Sequence, residues 1–149
     1  MSIGEICTRE VVVTPTTTSV DAAADMMRRY HVGDLVVVEE SDGKRIPVGI
    51  ITDRDIVVEV VAAGLDPKVL TVGEIMGPEL VTGEEDDGIL DTLQIMRTKG
   101  VRRLPILAED GSLLGIVTVD DLIEVFAEEL TDLARVISRG RAREAKIRA

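Results

Sequence analysis

Two stretches carry the residues best suited to chemistry. GIITDRDI (49–56) and GIVTVDDL (115–122) both read Gly, two β-branched residues, Thr, two variable residues, Asp, then Ile or Leu. Each begins as an apolar β-branched run and then turns acidic. This predicts a strand ending at Thr52 or Thr118 and passing directly into a helix. Free backbone N–H groups at such a junction favour anions, and a Thr hydroxyl there can donate to a phosphate oxygen. An Asp in the first turn can accept two hydrogen bonds from a vicinal diol such as a ribose. Thr52 with Asp55, and Thr118 with Asp121, thus offer a phosphate donor beside a ribose acceptor. Thr followed three residues later by an acid is equally an ordinary helix cap, and the pattern leaves both readings open.

The recurrence belongs to a repeat of most of the chain. At an offset of 69 residues, SIGEI (2–6) falls on TVGEI (71–75), EVVV (10–13) on ELVT (79–82), and MRRYHVGDL (27–35) on MRTKGVRRL (96–104). The offset then drops to 66, because EESDGKRIPVG is three residues longer than AEDGSLLG. Each copy predicts a short helical turn, a β-branched stretch (11–13 or 80–82) and an amphipathic helix (20–30 or 89–99). Ser19 and Asp87 are candidate caps for that helix. Two strands follow (35–38 with 48–52, 104–107 with 113–118), joined through Asp42-Gly43 or Asp110-Gly111, a hairpin signal. A closing helix spans 53–63 or 120–129.

The order β-α-β-β-α, written twice, predicts an α+β fold. The first repeat covers 2–64, a linker 65–70 with Gly64 as helix stop and Pro67 as breaker, and the second repeat 71–130. A basic helical tail covers 131–149. A unit of about 60 residues buries too little surface to be comfortable alone. The two copies are therefore expected to pack sheet to sheet about a pseudo-twofold axis.

Composition narrows the functional classes. Net charge is −11, which argues against a nucleic-acid binder needing a basic face. Tyr30 and Phe126 are the only aromatics of the Phe, Tyr and Trp set, so no stacking platform for bases exists. Cys7 is the single cysteine, which leaves no internal disulfide or Cys-based zinc site. No apolar run reaches transmembrane length and no signal-peptide pattern opens the chain, so the expectation is a cytoplasmic protein without membrane contact. No nucleophile–base–acid constellation emerges, which disfavours an enzyme. The acid cluster GEEDD (83–87) precedes a helix and needs no metal to explain it; no metal site is expected.

The paired G-h-h-T-x-x-D motif, VGEIM (72–76) and GVRRLPI (100–106) together resemble the CBS domain pair, or Bateman module, over residues 2–130. The resemblance implies tandem β-α-β-β-α CBS repeats forming a stand-alone regulatory module. It implies adenosyl ligands (AMP, ADP, ATP, S-adenosylmethionine or NAD-type molecules) bound in clefts between the repeats, no required cofactor, and pairing into disc-like homodimers. By the same resemblance, Asp55 and Asp121 would hold ribose hydroxyls, and Thr52 and Thr118 would bond phosphate. Adenine would lie against Val13, Thr14 and Val32 near one cleft, and against Thr82 and Val101 near the other.

The family's phosphate-binding cations precede the L-P of the second strand, which here means Arg102 and Arg103. They would face Thr52 and Asp55, with Arg54 or Lys99 as helpers. Gly33 and Asp34 hold the equivalent positions in the first repeat, so the cleft of Thr118 and Asp121 would meet an acid instead. Nucleotide binding is expected to concentrate in the cleft with the arginines. The arginine pair favours AMP, ADP or ATP over cationic S-adenosylmethionine, with NAD(H) also behind. Output would pass to an unknown effector protein or into self-assembly, by population shift, with the basic tail as reporter. The competing reading is a protein-interaction scaffold whose nucleotide site is non-functional.

Overall fold

The computed structural model describes residues Met1–Ala149. In chain order the elements are α1 (Ile3–Ile6), β1 (Val13–Thr14), α2 (Val20–Tyr30), β2 (Asp34–Ser41), β3 (Lys44–Thr52) and α3 (Asp53–Ile56), which a π-helical turn (Val57–Val61) prolongs. The second half repeats the series as α4 (Val72–Ile75), β4 (Gly83–Glu84), α5 (Ile89–Lys99), β5 (Arg103–Leu107), β6 (Leu113–Thr118) and α6 (Val119–Ile147). Two three-stranded sheets result, ordered β1-β2-β3 and β4-β5-β6. In each, the short first strand runs parallel to the second and the second antiparallel to the third.

The central strands show why the sequence reads as an apolar run. Alternate side chains of a strand point to opposite faces. Leu35 and Val37 join Ala23, Met27 and Ile51 in the core beneath α2, whereas Val36 and Val38 meet Leu113 and Ile116 of the second sheet. A strand buried on both faces loses its polar alternation. Leu104, Ile106, Val117, Met96 and Leu122 form the matching core of the second repeat. The interior is accordingly three aliphatic clusters, with the middle one joining the sheets. Both sheets carry a bulge at the equivalent place, after Val37 and after Ile106, opposite Gly49 and Gly115.

The leading segment of each repeat docks on the other repeat. Ile3 and Cys7 belong to the second repeat's core, and Val72 belongs to the first's. Ile3 and Gly4 donate backbone N–H groups to the carbonyls of Asp87 and Glu85 at 2.7 and 2.9 Å, and Thr8 exchanges two backbone bonds with Ile116. Reciprocally, Val72 donates to the Thr18 carbonyl at 2.8 Å and Gly73 to that of Thr16 at 3.0 Å. These crossings explain the glycine that opens each Thr–Asp motif. A Cβ on Gly115 would stand 2.6 Å from the Thr8 carbonyl oxygen and 2.7 Å from Cys7 Sγ; one on Gly49 would strike the Met76 side chain. The acid cluster has a structural duty too, since Asp87 and Glu85 supply the carbonyls that receive α1.

Several boundaries differ from expectation. The first hairpin's strands run on towards their loop, to Ser41 and from Lys44 rather than ending at 38 and starting at 48, and the first closing helix stops at Val61 as a π-turn rather than at 63. The first strands begin at Val13 and Gly83 rather than near 11 and 80, because Val11 and Val12 with Leu80 and Val81 turn towards the clefts. Gly88, not Asp87, caps α5, and Asp87 instead accepts the Glu84 N–H. The closing helix of the second repeat and the basic tail are one continuous helix, α6, since no breaker interrupts the apolar period before Gly140.

Candidate functional site

The β3–α3 and β6–α6 junctions place Thr52 with Asp55 and Thr118 with Asp121 in matching geometry. Thr52 N donates to Asp55 Oδ2 at 2.8 Å while Asp55 N donates to Thr52 Oγ1 at 3.1 Å. The second junction repeats this at 2.8 and 3.2 Å. Both pairs are reciprocal capping boxes. Capping uses one carboxylate oxygen of each Asp and leaves Oδ1 for another donor. It also leaves each Thr hydroxyl proton free to be donated.

The expected anion-receptive N–H groups are absent from α3. Asp53 N donates to the Gly33 carbonyl at 2.9 Å, Arg54 N to Asp53 Oδ1 at 2.8 Å, and Asp55 N to Thr52. The first turn is already satisfied inside the chain, so phosphate recognition falls to side chains.

Thr52 and Asp55 open onto a cleft of about 380 Å³ whose other wall is Leu80, Val81, Val101, Arg102 and Arg103 of the second repeat. Thr118 and Asp121 open onto one of about 240 Å³, walled by Val11, Val12, Val32, Gly33 and Asp34 of the first. Small-molecule sites run to roughly 300–1,000 Å³, so only the first cleft falls within that range. Their charges differ as well. Arg102 and Arg103 stand beside Asp55 and Glu79 in the first cleft, whereas the second is lined by Glu10, Asp34 and Asp121 with no base.

Arg103 is not free. Its Nε lies 2.6 Å from Asp34 Oδ2, an ion pair that joins the two repeats and spans the space between the clefts. Burial pushes the Asp34 carboxyl above its usual range, Arg103 pulls it back only partly, and nearby Asp53 adds to the rise. Arg102 is exposed at the rim of the first cleft. Lys99 pairs with Glu79 at 3.2 Å, which places its ammonium near that rim.

Four expected contact residues lie elsewhere. Val13 and Thr14 line a separate groove beside Arg45, and the buried Thr14 hydroxyl is spent on Thr18 at 2.6 Å. Thr82 lines neither cleft, because the residues that do so in its repeat are Leu80 and Val81, one and two positions earlier. Arg54 is exposed in α3 and also lies outside both linings. Val32 and Val101 do sit at the second and first clefts respectively. Leu80, Val81, Val11 and Val12 went unassigned in the sequence; the repeat offset of 69 pairs them two by two, and that was the available signal.

Comparison with known proteins agrees with this architecture. The CBS domain model matches residues 3–62 and 72–128. An uncharacterised protein of Methanopyrus kandleri, MK0525, is 40% identical over 126 residues, covering 84% of this chain and 62% of that protein, so the shared part is less than two thirds of the relative's length. The crystal structure of Hypoxic Response Protein I with two coordinated zinc ions superposes with a TM-score of 0.72 at 32% identity, over 83% of this chain and 98% of that one. The cytosolic domain of the Mg2+ channel MgtE, solved in complex with ATP, superposes with a TM-score of 0.70 at 29% identity, over 83% of this chain and 48% of that one. Each matched stretch holds one three-stranded sheet and one Thr–Asp box, and the chain belongs to the CBS domain family as a tandem pair.

Proposed function

We propose that the chain is a non-catalytic regulatory sensor that binds an adenine nucleotide of the AMP, ADP or ATP type in the first cleft. The observation that carries this reading is the convergence of Thr52 and Asp55 from one repeat with Arg102 and Arg103 from the other around one cleft of about 380 Å³. Asp55 Oδ1 accepts from the ribose diol, the aliphatic wall of Leu80, Val81 and Val101 receives the adenine, and Thr52 and Arg102 meet the phosphate. The ATP complex of the similar MgtE cytosolic domain supports this choice of ligand class. Phosphate entering the cleft competes with Asp34 for Arg103. Ligand binding then exchanges an internal ion pair between the repeats for a ligand-mediated one, which biases their relative arrangement.

Calorimetric titration with AMP, ADP, ATP, S-adenosylmethionine and NADH tests the reading. A saturable isotherm with an adenine nucleotide is expected, together with a rise in melting temperature by mass action. The scaffold reading has its own observation, since both Thr–Asp pairs are fully explained as caps. Absence of heat and of thermal shift with all five ligands would select it.

A further inference from the structure

The last helix leaves the folded body. Every residue from Ala127 to Ala149 is exposed, although α6 stays helical to Ile147. In proteins most helical stability comes from packing of an amphipathic face rather than from propensity. Its exposed apolar residues are not scattered. Ile123, Leu130, Leu133, Ile137 and Ile147 are each at least 60% exposed, and with the half-buried Phe126, the small Gly140 and one acid, Glu144, they occupy successive a and d positions of a heptad. Charge along the helix is divided. Glu124, Glu128, Glu129 and Asp132 occupy the half nearer the body, and Arg135, Arg139, Arg141 and Arg143 follow.

We propose that the protruding part of α6 pairs with the same segment of a second copy as an antiparallel coiled coil. A parallel pair would set acids against acids and bases against bases. The antiparallel pair sets the acidic half of each helix against the basic half of the other. The register follows from the heptad. Leu133 packs against Ile137 of the other copy, and Leu130 fills the space left over Gly140. Ala134 meets its own equivalent on one flank and Val136 its own on the other. Glu129 then faces Arg143 of the other copy at both ends, a self-complementary match that an isologous twofold interface requires. This pairing does not depend on the nucleotide reading.

The test uses the full chain with Glu129→Cys and, separately, Arg143→Cys, treated with a short bismaleimide; native Cys7 is buried. A covalent dimer is expected only when the two variants are mixed. Linking of either variant to itself, as a parallel pair would give, or no linking in the mixture, overturns the proposal. Leu133→Glu supplies an independent reading, because Leu133 is 62% exposed and belongs to none of the three core clusters. Sedimentation velocity is expected to show loss of one twofold assembly step, with the melting profile of the body unchanged. A distribution identical to that of the parent chain overturns the proposal, as does helix pairing only with vesicles or another protein.

Discussion

The two clefts are made from the same parts in the same order, yet they are chemically unlike. Their Thr–Asp boxes agree within 0.1 Å in both hydrogen bonds. Their aliphatic walls come from equivalent positions. The difference lies in Gly33 and Asp34 standing where the other repeat has Arg102 and Arg103. Repetition therefore supplies geometry twice, and two positions decide charge. The acid does more than spoil the second cleft. Asp34 reaches across and holds Arg103, so the poorer cleft draws on a cation of the richer one.

The sharpest way to break this comparison is to remove each motif Asp in turn. Asp55→Ala and Asp121→Ala delete the same cap from the same geometry, so each controls for the other's loss of helix capping, about 1 kcal/mol. On the nucleotide reading, Asp55→Ala also deletes the ribose acceptor. A lost charge-assisted hydrogen bond of about 2–3 kcal/mol weakens adenine-nucleotide binding by roughly a hundredfold in calorimetry. Asp121→Ala leaves the isotherm as it was. Equal losses, or the opposite order, would abolish the distinction between the clefts.

A second comparison concerns the glycines that open the motifs. Gly115 lies under backbone, the Thr8 carbonyl, whereas Gly49 lies under the flexible end of Met76. Gly115→Ala forces the main chain to move and costs about 1–3 kcal/mol in a urea melt. Gly49→Ala displaces a side chain and costs less. Matching losses would mean that the two crossings yield equally, contrary to the asymmetry of their contacts.

What the sequence disclosed follows from the range of each interaction. The strands, hairpins and caps are local, so β-branched runs, Asp-Gly turns and Thr-x-x-Asp spacing announced them. The walls were misplaced by one or two residues because nothing local tells Val11 and Val12 from Val13; their distinction is that the strand pairing starts only at Val13. The crossing of α1 and α4 onto opposite repeats is a contact of high sequence separation with no local pattern. The Arg103–Asp34 pair could have been found. The repeat offset makes these equivalent positions, and equivalent positions near a twofold axis face each other, so an acid and a base there should meet. The apolar heptad stripe of α6 was also visible in the sequence, but describing the tail as basic passes over the acids that precede its arginines.

The subtlest comparison is between Asp34 as partner and Asp34 as burden. At 2.6 Å from Arg103 the carboxylate is well paired, yet burial wins and raises its pKa above the ordinary 3.8. A carboxyl with a raised folded-state pKa binds its proton more tightly in the fold than in the unfolded chain. The contribution of Asp34 to stability is then greatest at low pH and falls as pH rises from about 3.8 through the folded-state value, remaining level above it. Asp34→Asn removes this slope while keeping an oxygen for Arg103 Nε. The urea midpoint of the parent, measured relative to the variant, should decline across that window; a difference independent of pH, or rising with it, would refute the net cost of burying Asp34. At neutral pH the variant also loosens the hold on Arg103. Since this ion pair keeps some solvent contact, with side chains 35% and 20% exposed, and is worth up to about 1 kcal/mol, nucleotide affinity of the first cleft should rise by no more than about fivefold. An unchanged affinity alongside the predicted pH slope would assign Arg103 to the bond between the repeats and leave Arg102 as the cation that meets phosphate.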